Sequence, residues 1–178
     1  KIVHDPRLVW NTFDVIEQYQ GDAIQSKSGH SYIKEKMREH NAVYGGEMSA
    51  HHYFRDFSYC DSGMIPWLLV VSVLSETGQS LSSLVEEMIT KFPCSGEINF
   101  KVADTQITIQ KLFDHFANQN PSIDHTDGVS LDFGAWRFNV RASNTEPLLR
   151  LNIETRLDQH PKPMQDYVAQ LTQLIHGR

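Results

Sequence analysis

Short apolar runs alternate with longer amphipathic segments along the first half of the chain. The runs have the length and composition of strands and are KIVHD, DAIQS and NAVYGGE, at residues 1–5, 22–26 and 41–47. The segments between them carry apolar residues at helical spacing, as Ile33 and Met37 do four positions apart. Strands and helices in alternation favour an α/β layer with a largely parallel sheet.

The most apolar stretch of the sequence is MIPWLLVVSVL, residues 64–74, which is apolar on every side and predicts a buried helix. Pro66 is tolerated in the first turn of such a helix, and Gly78 is expected to end it. The eleven residues are too few to span a bilayer, which takes about 20. We therefore expect no membrane segment here.

From residue 94 onward the pattern changes to that of a small α+β domain. One strand and one helix, GEINFK and TQITIQKLFDHFANQ, are followed by three alternating strands and a last amphipathic helix. The apolar positions of the three strands are Val129, Leu131, Phe133, Trp136, Phe138, Val140, Leu149, Leu151 and Ile153. We expect a mixed α/β/α sheet domain at residues 1–93 and, at residues 94–178, an antiparallel sheet covered by helices.

Small polar residues mark the expected helix starts. Asn11 or Thr12 is expected near the cap of the first helix, and Ser31 is a candidate cap of the second. Ser83 and Glu86 have capping-box spacing at the start of a helix that follows the apolar one.

Charge and cysteine content narrow the classes of function. Sixteen basic and 22 acidic residues give a net charge of −6, which disfavours a general nucleic-acid surface but leaves room for a local cationic pocket. Cys60 and Cys94 are too few for a disulfide framework and favour a reducing cytosol. The first residues, KIVHDPR, lack the basic and apolar regions of a signal peptide. A cytoplasmic location is therefore expected.

The link between two predicted strands, RASNTEP at residues 141–147, has more hydrogen-bonding groups than a hairpin needs. The guanidinium of Arg141 can bind two phosphate oxygens. The hydroxyls of Ser143 and Thr145, the amide of Asn144 and the backbone N–H groups can supply the rest of an anion site. A plain polar hairpin loop is the alternative.

A second polar segment, GGEMSAHHYF at residues 45–54, follows a predicted strand. Two glycines let backbone pass close to a ligand. In an extended segment Glu47, Ser49 and His51 would point to one side, and their carboxylate, hydroxyl and imidazole suit a ligand with several hydroxyls. Solvated loop histidines are one alternative. A metal site, disfavoured because paired zinc-ligand spacing is missing, would use His51, His52, Cys60 and Asp61.

A third segment, KSGHSYIK at residues 27–34, joins a predicted strand to a helix. Gly29 permits a sharp turn, and helix N-termini favour anions. Lys27 and His30 are placed to contact a phosphate or to take part in proton transfer. The segment is equally consistent with an ordinary βα connection.

The loops KSGHSYIK, GEMSAHHYF and RASNTEP, in this order, resemble the signature loops of the α-D-phosphohexomutases. HDPRLVWNT and FRDFSYCDSGMIPWLL extend the resemblance over nearly the whole chain, and it is strongest to the C-terminal half of the bacterial phosphomannomutases. That family has four domains around one cleft. The resemblance implies that this chain holds the third domain and the fourth, which is a TBP-like antiparallel sheet covered by helices.

The resemblance also implies residue roles. The sugar-recognition loop would bind the 3- and 4-hydroxyls of a hexose through Glu47, Ser49 and His51. The clamp for the phosphate that is not transferred would consist of Arg141, Ser143, Asn144 and Thr145. Lys27 and His30 would support catalysis from the active-site loop of the third domain.

Three positions near these loops bear on the comparison with the family. Met48 is typical of relatives that act on mannose or glucose phosphates. Ser28 stands where threonine is commoner, and Ala50 where many relatives have glycine. Both exchanges are of one small residue for another and are expected to change little, although Ala50 would limit the backbone freedom of the sugar loop.

Two motifs of the family, the phosphoserine motif TASHNP and the magnesium loop DGDGDR, do not occur in the sequence. The Asp127-Gly128 dipeptide is no substitute for the magnesium loop. The resemblance therefore implies a C-terminal piece of a longer enzyme, inactive alone and without metal ligands of its own. The nucleophilic serine and the Mg²⁺ ligands would belong to the missing N-terminal domains.

The resemblance implies a whole enzyme that interconverts mannose 6-phosphate and mannose 1-phosphate through phosphoserine and a hexose 1,6-bisphosphate. The expected partners of this chain are the hexose phosphate and the N-terminal domains, without nucleic acid or membrane. A piece of a phosphoglucomutase and a non-catalytic sugar-phosphate-binding module are the alternatives.

Overall fold

A computed structural model describes residues 1–143, 146–156 and 163–177. The chain folds as two compact units, Lys1–Thr90 and Lys91–Arg178.

A mixed five-stranded sheet forms the base of the first unit. Its strands are β1 (Ile2–His4), β2 (Ala23–Gln25), β3 (Tyr44–Gly46), β4 (His52–Phe54) and β5 (Cys60–Asp61). The strand order is β2-β1-β3-β4-β5, with β1 parallel to β2 and β3, and with β3, β4 and β5 antiparallel in turn. The three predicted strands are confirmed, whereas β4 and β5 lie in a segment that was expected to be loop.

Four helices begin in this unit. They are α1 (Trp10–Gln18), α2 (His30–His40), α3 (Met64–Thr77) and α4 (Leu81–Lys91). α2 packs on β1 and β3, and the core there is made of Val3, Ile33, Met37, Ala42 and Tyr53. A Cβ at Gly45 would lie 2.7 Å from the sulfur of Met37 and 2.8 Å from Cγ2 of Ile33. This glycine therefore allows β3 to pack closely against α2. The sequence had led us to expect that it lets the backbone pass close to a ligand.

The helix starts differ from those that the small polar residues predicted. Val9 precedes α1, so Asn11 and Thr12, which were expected near the cap, lie in the first turn of the helix. α2 begins at His30, which places Ser31 in its first turn. The cap of α4 is Ser80, whose Oγ accepts a hydrogen bond from the Ser83 N–H at 3.1 Å. A capping residue must precede the first turn, and several candidates stand close together at each of these starts.

The apolar helix α3 is not buried, contrary to expectation. The structure describes all of α3, and none of its residues is buried; Trp67, Leu68 and Leu69 are 57, 56 and 54% exposed. Burial needs a covering element, and the described residues place none over this helix. No single helix in the described part of the chain is long and apolar enough to cross a membrane. By length and composition α3 and α4 would do so only as a pair, and the two are bent by 99°.

An antiparallel sheet with the order β6-β10-β9-β8-β7 forms the second unit. Its strands are β6 (Ile98–Phe100), β7 (Ser122–Asp124), β8 (Val129–Asp132), β9 (Trp136–Ala142) and β10 (Leu149–Thr155). Two helices, α5 (Thr105–Phe116) and α6 (Met164–His176), pack on it. The predicted antiparallel domain covered by helices is confirmed, and β7 is an additional strand.

Alternation along β9 and β10 separates a core face from a polar face. The core face contributes Trp136, Phe138, Val140, Leu149, Leu151 and Ile153 to the cluster with α5 and α6. The polar face carries Arg137, Asn139, Arg141, Arg150, Asn152 and Glu154. Arg137 and Glu154 are cross-strand neighbours that form a buried ion pair at 2.6 Å. The RASNTEP segment begins with the last two residues of β9 and precedes β10 in the chain.

Candidate functional site

Glu47 joins two of the polar segments within the first unit. Its Oε2 accepts a hydrogen bond from the Gly29 N–H at 2.8 Å, and its Oε1 accepts one from the Tyr53 hydroxyl at 2.6 Å. The carboxylate is only 4% exposed. Burial, together with the neighbouring Glu47 carboxylate, raises the pKa of Tyr53, so the phenol keeps its proton and donates. Glu47 thus holds the turn after β3 against the start of α2.

Asp5 and Arg7, which the sequence did not single out, support the same turn from the end of β1. Asp5 accepts hydrogen bonds from the Arg7 backbone, the Arg7 guanidinium and, at 2.8 Å, the Met48 N–H. The Arg7 guanidinium also lies 3.4 Å from the Ser49 hydroxyl and 3.9 Å from the Glu47 carboxylate. Asp5 and Arg7 are both buried. The sequence did contain a signal for these two residues, because they form a charged pair on either side of a proline directly after the first strand.

The segment between β3 and β4 is a tight turn. The Glu47 N–H donates to the His51 carbonyl at 3.0 Å, and the Ala50 N–H donates to the Glu47 carbonyl at 3.0 Å. Strand periodicity therefore does not apply there, and the expectation of an extended segment was wrong. Glu47 is buried in this turn, whereas Ser49 is exposed and the His51 side chain is 41% exposed.

His30, His51 and Asp61 lie together beside this turn. The ring centroids of His30 and His51 are 4.5 Å apart, and His51 Nδ1 lies 2.8 Å from Asp61 Oδ2. The other oxygen of Asp61 accepts from the His52 N–H at 2.9 Å. Burial acts to raise the pKa of Asp61, but the hydrogen bonds from His51 and His52 outweigh it and hold that pKa below its usual value. An ionised Asp61 orients His51 through Nδ1 and leaves Nε2 to face a ligand.

Lys27 stands at the exposed side of the βα connection, with its ammonium 5.8 Å from the centre of the Tyr32 ring. A cleft of about 270 Å³ opens at the carboxyl ends of β1 and β3. Its lining includes Asp5, Asn11, Thr12, Glu47 and Met48. Ligands of α/β sheets bind beyond the carboxyl ends of the parallel strands, which is where this cleft lies.

In the second unit, Arg141 belongs to β9 and not to the loop that follows it. It is buried and lies directly opposite Arg150 on β10. Glu97 bridges the two guanidinium groups, at 3.8 Å from Arg141 and 3.2 Å from Arg150. Arg150 and Glu97 were not predicted, because only the strand register shows that the two arginines face each other.

The loop itself begins at Ser143, whose N–H donates to the Leu148 carbonyl at 2.8 Å. Its hydroxyl accepts from the Glu146 N–H at 3.3 Å. Asn144 and Thr145 lie outside the described residues. Two guanidinium groups, a hydroxyl and loop N–H groups near the ends of β9 and β10 are the donors that bind phosphate in proteins.

Gly128 allows the chain before β8 to pass close to Arg141. A Cβ at this position would lie 2.2 Å from the Val140 carbonyl oxygen and 2.6 Å from Arg141 Cβ. Its φ of +74° also lies in the left-handed region that favours glycine. The Asp127-Gly128 dipeptide therefore has a structural role beside the arginine.

Two sequence profiles of one family match the chain. The phosphoglucomutase/phosphomannomutase α/β/α domain III matches residues 1–92, and the C-terminal domain of the same family matches residues 97–171. The chain belongs to this family. The resemblance to the C-terminal half of the α-D-phosphohexomutases is thereby confirmed.

Individual relatives agree with the family. A protein named phosphohexose mutases from Xanthomonas campestris pv. campestris is 62% identical over 158 residues, 89% of this chain and 35% of its own length. A phosphomannomutase from Vibrio cholerae is 54% identical over 176 residues, 98% of this chain and 38% of its own length. The crystal structure of a family member from Burkholderia thailandensis has the same fold, with a TM-score of 0.74 and 24% identity over 98% of this chain and 37% of its own. The chain thus spans little more than a third of each of these relatives.

Proposed function

We propose that this chain supplies sugar and phosphate recognition to a phosphomannomutase, an isomerase that interconverts mannose 6-phosphate and mannose 1-phosphate. The observation that carries the proposal is the 54% identity to a phosphomannomutase over 98% of the chain. The hydroxyl-binding turn at Glu47 and the paired arginines at the RASNTEP loop provide chemistry that suits this substrate.

In the first unit, Glu47, Ser49 and His51 would bind the sugar hydroxyls. Each oxygen of Glu47 accepts one hydrogen bond from the protein and retains a lone pair for a hydroxyl. The exposed Ser49 hydroxyl and the Nε2 of His51 can donate or accept. Lys27 and His30 would support phosphate contact or proton transfer at the same edge.

In the second unit, the phosphate that is not transferred would bind to Arg141, Ser143, Asn144 and Thr145. Arg150 adds a second guanidinium. Glu97 holds the two in place, and the exposed Glu146 also lies 3.4 Å from Arg150, so two carboxylates balance the two arginines until phosphate binds. Planar guanidinium groups bind phosphate oxygens in a bidentate manner, which fixes the orientation of the bound sugar phosphate.

The phosphoryl transfer itself would use groups outside these 178 residues. Phosphoserine would give its phosphoryl group to a hydroxyl of the hexose monophosphate, and the resulting hexose 1,6-bisphosphate would return its other phosphoryl group to the serine. Mg²⁺ would be held there too. The Asp127-Gly128 turn does not fit Mg²⁺, which is bound through clustered oxygen ligands. The contribution of this chain is positioning and charge stabilisation, on which phosphoryl transfer largely depends.

Calorimetric titration with mannose 1-phosphate, glucose 1-phosphate and inorganic phosphate tests the proposal. We expect the chain to bind the sugar phosphates with a dissociation constant of roughly millimolar or below and to show no turnover. Arg141→Ala should abolish this binding, and Lys101→Ala, which removes an exposed cation of the same unit, should not. Glucose 1-phosphate is included because the family profile covers phosphoglucomutases as well.

The same titration on the full-length protein decides between two causes of a negative result. Binding by the full-length protein alone, again lost in Arg141→Ala, would mean that the clamp needs the rest of the enzyme. Unchanged affinity in Arg141→Ala in both proteins would contradict the assignment of the clamp.

A further inference from the structure

We propose that His30, His51 and Asp61 form a binding site for a divalent transition-metal cation of the Zn²⁺ class. The three residues each offer one ligand atom, and these atoms all lie within 4.8 Å of one another. Two imidazole nitrogens and one carboxylate oxygen, with a fourth position open, is a ligand set that Zn²⁺ takes in catalytic sites. The sequence predicted no metal ligands in this chain.

The distances fit such a cation after a small adjustment. Zn²⁺ binds nitrogen and oxygen ligands at about 2.0–2.2 Å, so ligand atoms on a tetrahedral ion lie about 3.3–3.6 Å apart. His51 and Asp61 are already within 2.8 Å of each other and would separate slightly as the ion replaces their shared proton. The exposed His30 can close the remaining gap by rotation of its side chain.

Three elements hold the ligands. His30 is the first residue of α2, His51 directly precedes β4, and Asp61 ends β5. The pairing of β4 with β5 places Asp61 beside the turn, and the His52 N–H fixes its second oxygen. Such hydrogen bonds to a ligating carboxylate orient it and strengthen metal binding.

These ligands differ from the set that the sequence offered as a disfavoured alternative, which was His51, His52, Cys60 and Asp61. His52 is engaged elsewhere, with its Nδ1 2.6 Å from the Tyr44 hydroxyl. The Cys60 thiol is 3.7 Å from the Ser58 carbonyl oxygen. The third ligand is instead His30, which is distant in sequence from the other two ligands.

The donor atoms also decide which cation binds. Imidazole suits Zn²⁺, Co²⁺, Ni²⁺ and Cu²⁺, whereas Mg²⁺ takes oxygen ligands and keeps its water. The N-terminus of α2 opposes a cation because of its partial positive charge, but the Glu47 carboxylate bound to the Gly29 N–H lies at this terminus and offsets it.

The site would act as a regulator of sugar binding, and this part rests on the proposed function. Zn²⁺ at Nδ1 of His51 would replace the hydrogen bond to Asp61 that orients the ring and would move the two side chains apart, so Nε2 would no longer face a sugar hydroxyl in the same direction. We therefore expect Zn²⁺ to weaken the binding of mannose 1-phosphate.

Titration of the 178-residue chain with Zn²⁺ by calorimetry, and with Co²⁺ by visible absorption, tests the site directly. His30→Ala and Asp61→Asn should each weaken Zn²⁺ binding by about tenfold or more, since loss of even an outer partner costs about 10–100-fold. His40→Ala is the matched control, because His40 is a partly exposed histidine 3.6 Å from a carboxylate oxygen of Glu39. Its affinity should equal that of the parent, and Mg²⁺ should give no signal.

Equal Zn²⁺ affinity in the parent, His30→Ala and Asp61→Asn, with unchanged circular dichroism, would overturn the site. Mannose 1-phosphate is titrated separately in a buffer with a chelator, so that the proposed function is tested without metal. Zn²⁺ binding without sugar binding would support the site and count against the proposed function alone. Sugar binding that Zn²⁺ leaves unchanged, with no Zn²⁺ bound, would overturn only the metal site.

Discussion

Ala50 holds a backbone conformation that favours glycine. Its φ of +63° lies in the left-handed region. An L-residue with a Cβ is disfavoured there by about 1–2 kcal/mol. The turn between β3 and β4 therefore stores strain at a position next to His51.

Ala50→Gly should relieve this strain and raise the free energy of unfolding by about 0.5–1 kcal/mol, after the greater freedom of glycine in the unfolded chain is subtracted. Urea unfolding measures the change. Ala103→Gly, at an exposed position without a positive φ, is the control and should lower stability. A less stable Ala50→Gly would contradict the expectation.

The His51–Asp61 pair should make stability depend on acid pH. Burial acts to raise the pKa of Asp61, but its hydrogen bonds hold that pKa below the unfolded value of about 3.9. The stabilisation is therefore present above pH ~4 and is lost as the pH falls through the lower folded pKa.

Asp61→Asn should accordingly be less stable than the parent near neutral pH, and the difference should shrink as the pH falls below about 4 and through the lowered folded pKa. Urea unfolding at a series of pH values measures the difference. The asparagine oxygen can still accept from the His52 N–H, so the substitution removes the charge and the acceptor for His51 and keeps the backbone hydrogen bond. A difference that does not change with pH would speak against this assignment.

Among the elements, the antiparallel pairing of β9 with β10 brings together the arginines of the proposed phosphate clamp in the second unit. The register places Arg141 opposite Arg150, and Glu97, which directly precedes β6, bridges them. The chain before β8 approaches the same point through Gly128. A substitution that changes the distance between β8 and β9 should therefore displace the side chains of Arg141 and Arg150.

Gly128→Ala should lower the free energy of unfolding by about 3 kcal/mol or more, because steric overlap with β9 adds to an unfavourable φ. Gly134→Ala is the matched control, since its φ is +82° but no atom lies within 4 Å of the added Cβ. It should lower the free energy of unfolding only by the cost of placing a Cβ at a positive φ, which is about 1–2 kcal/mol. Urea unfolding separates the two, and equal losses would show that the close approach is tolerated.

For the molecule as a whole, the uncovered apolar surface of α3 and α4 is the dominant physical feature. Met64, Trp67 and Leu68 on α3 and Leu81 and Ile89 on α4 are each at least half exposed. Contiguous apolar surface of this kind marks an interaction site or an aggregation liability. The relatives are nearly three times as long as the stretch they share with this chain, which spans 35–38% of their length.

We expect the 178-residue chain to bind a hydrophobic dye and to self-associate as its concentration rises, despite its net charge of −6. The variant Trp67→Gln with Leu68→Gln should reduce both effects, as measured by dye fluorescence and sedimentation velocity. Tyr19→Gln, at an exposed aromatic residue directly after α1, is the control and should change neither. A monomeric parent at high concentration would contradict the expectation.

Local periodicity alone determined much of the fold. The sequence correctly predicted the alternation in β8, β9 and β10 and the apolar faces of α5 and α6. Strand and helix geometry alone determine the direction in which each of these side chains points. The polar loops were also visible, since Arg141, Glu47 and His51 stand in segments whose hydrogen-bonding groups exceed what a turn needs.

Contacts between residues distant in sequence required the tertiary structure. The pairing of Arg141 with Arg150 follows from strand register, and the support of Ser49 by Arg7 from a parallel sheet. The meeting of His30 with Asp61 brings the first residue of α2 close to the last residue of β5. The exposure of α3 was misjudged for the same reason. The apolar composition of a helix predicts that it packs against another surface. Only the tertiary structure shows which surface covers it, or that the described residues provide none.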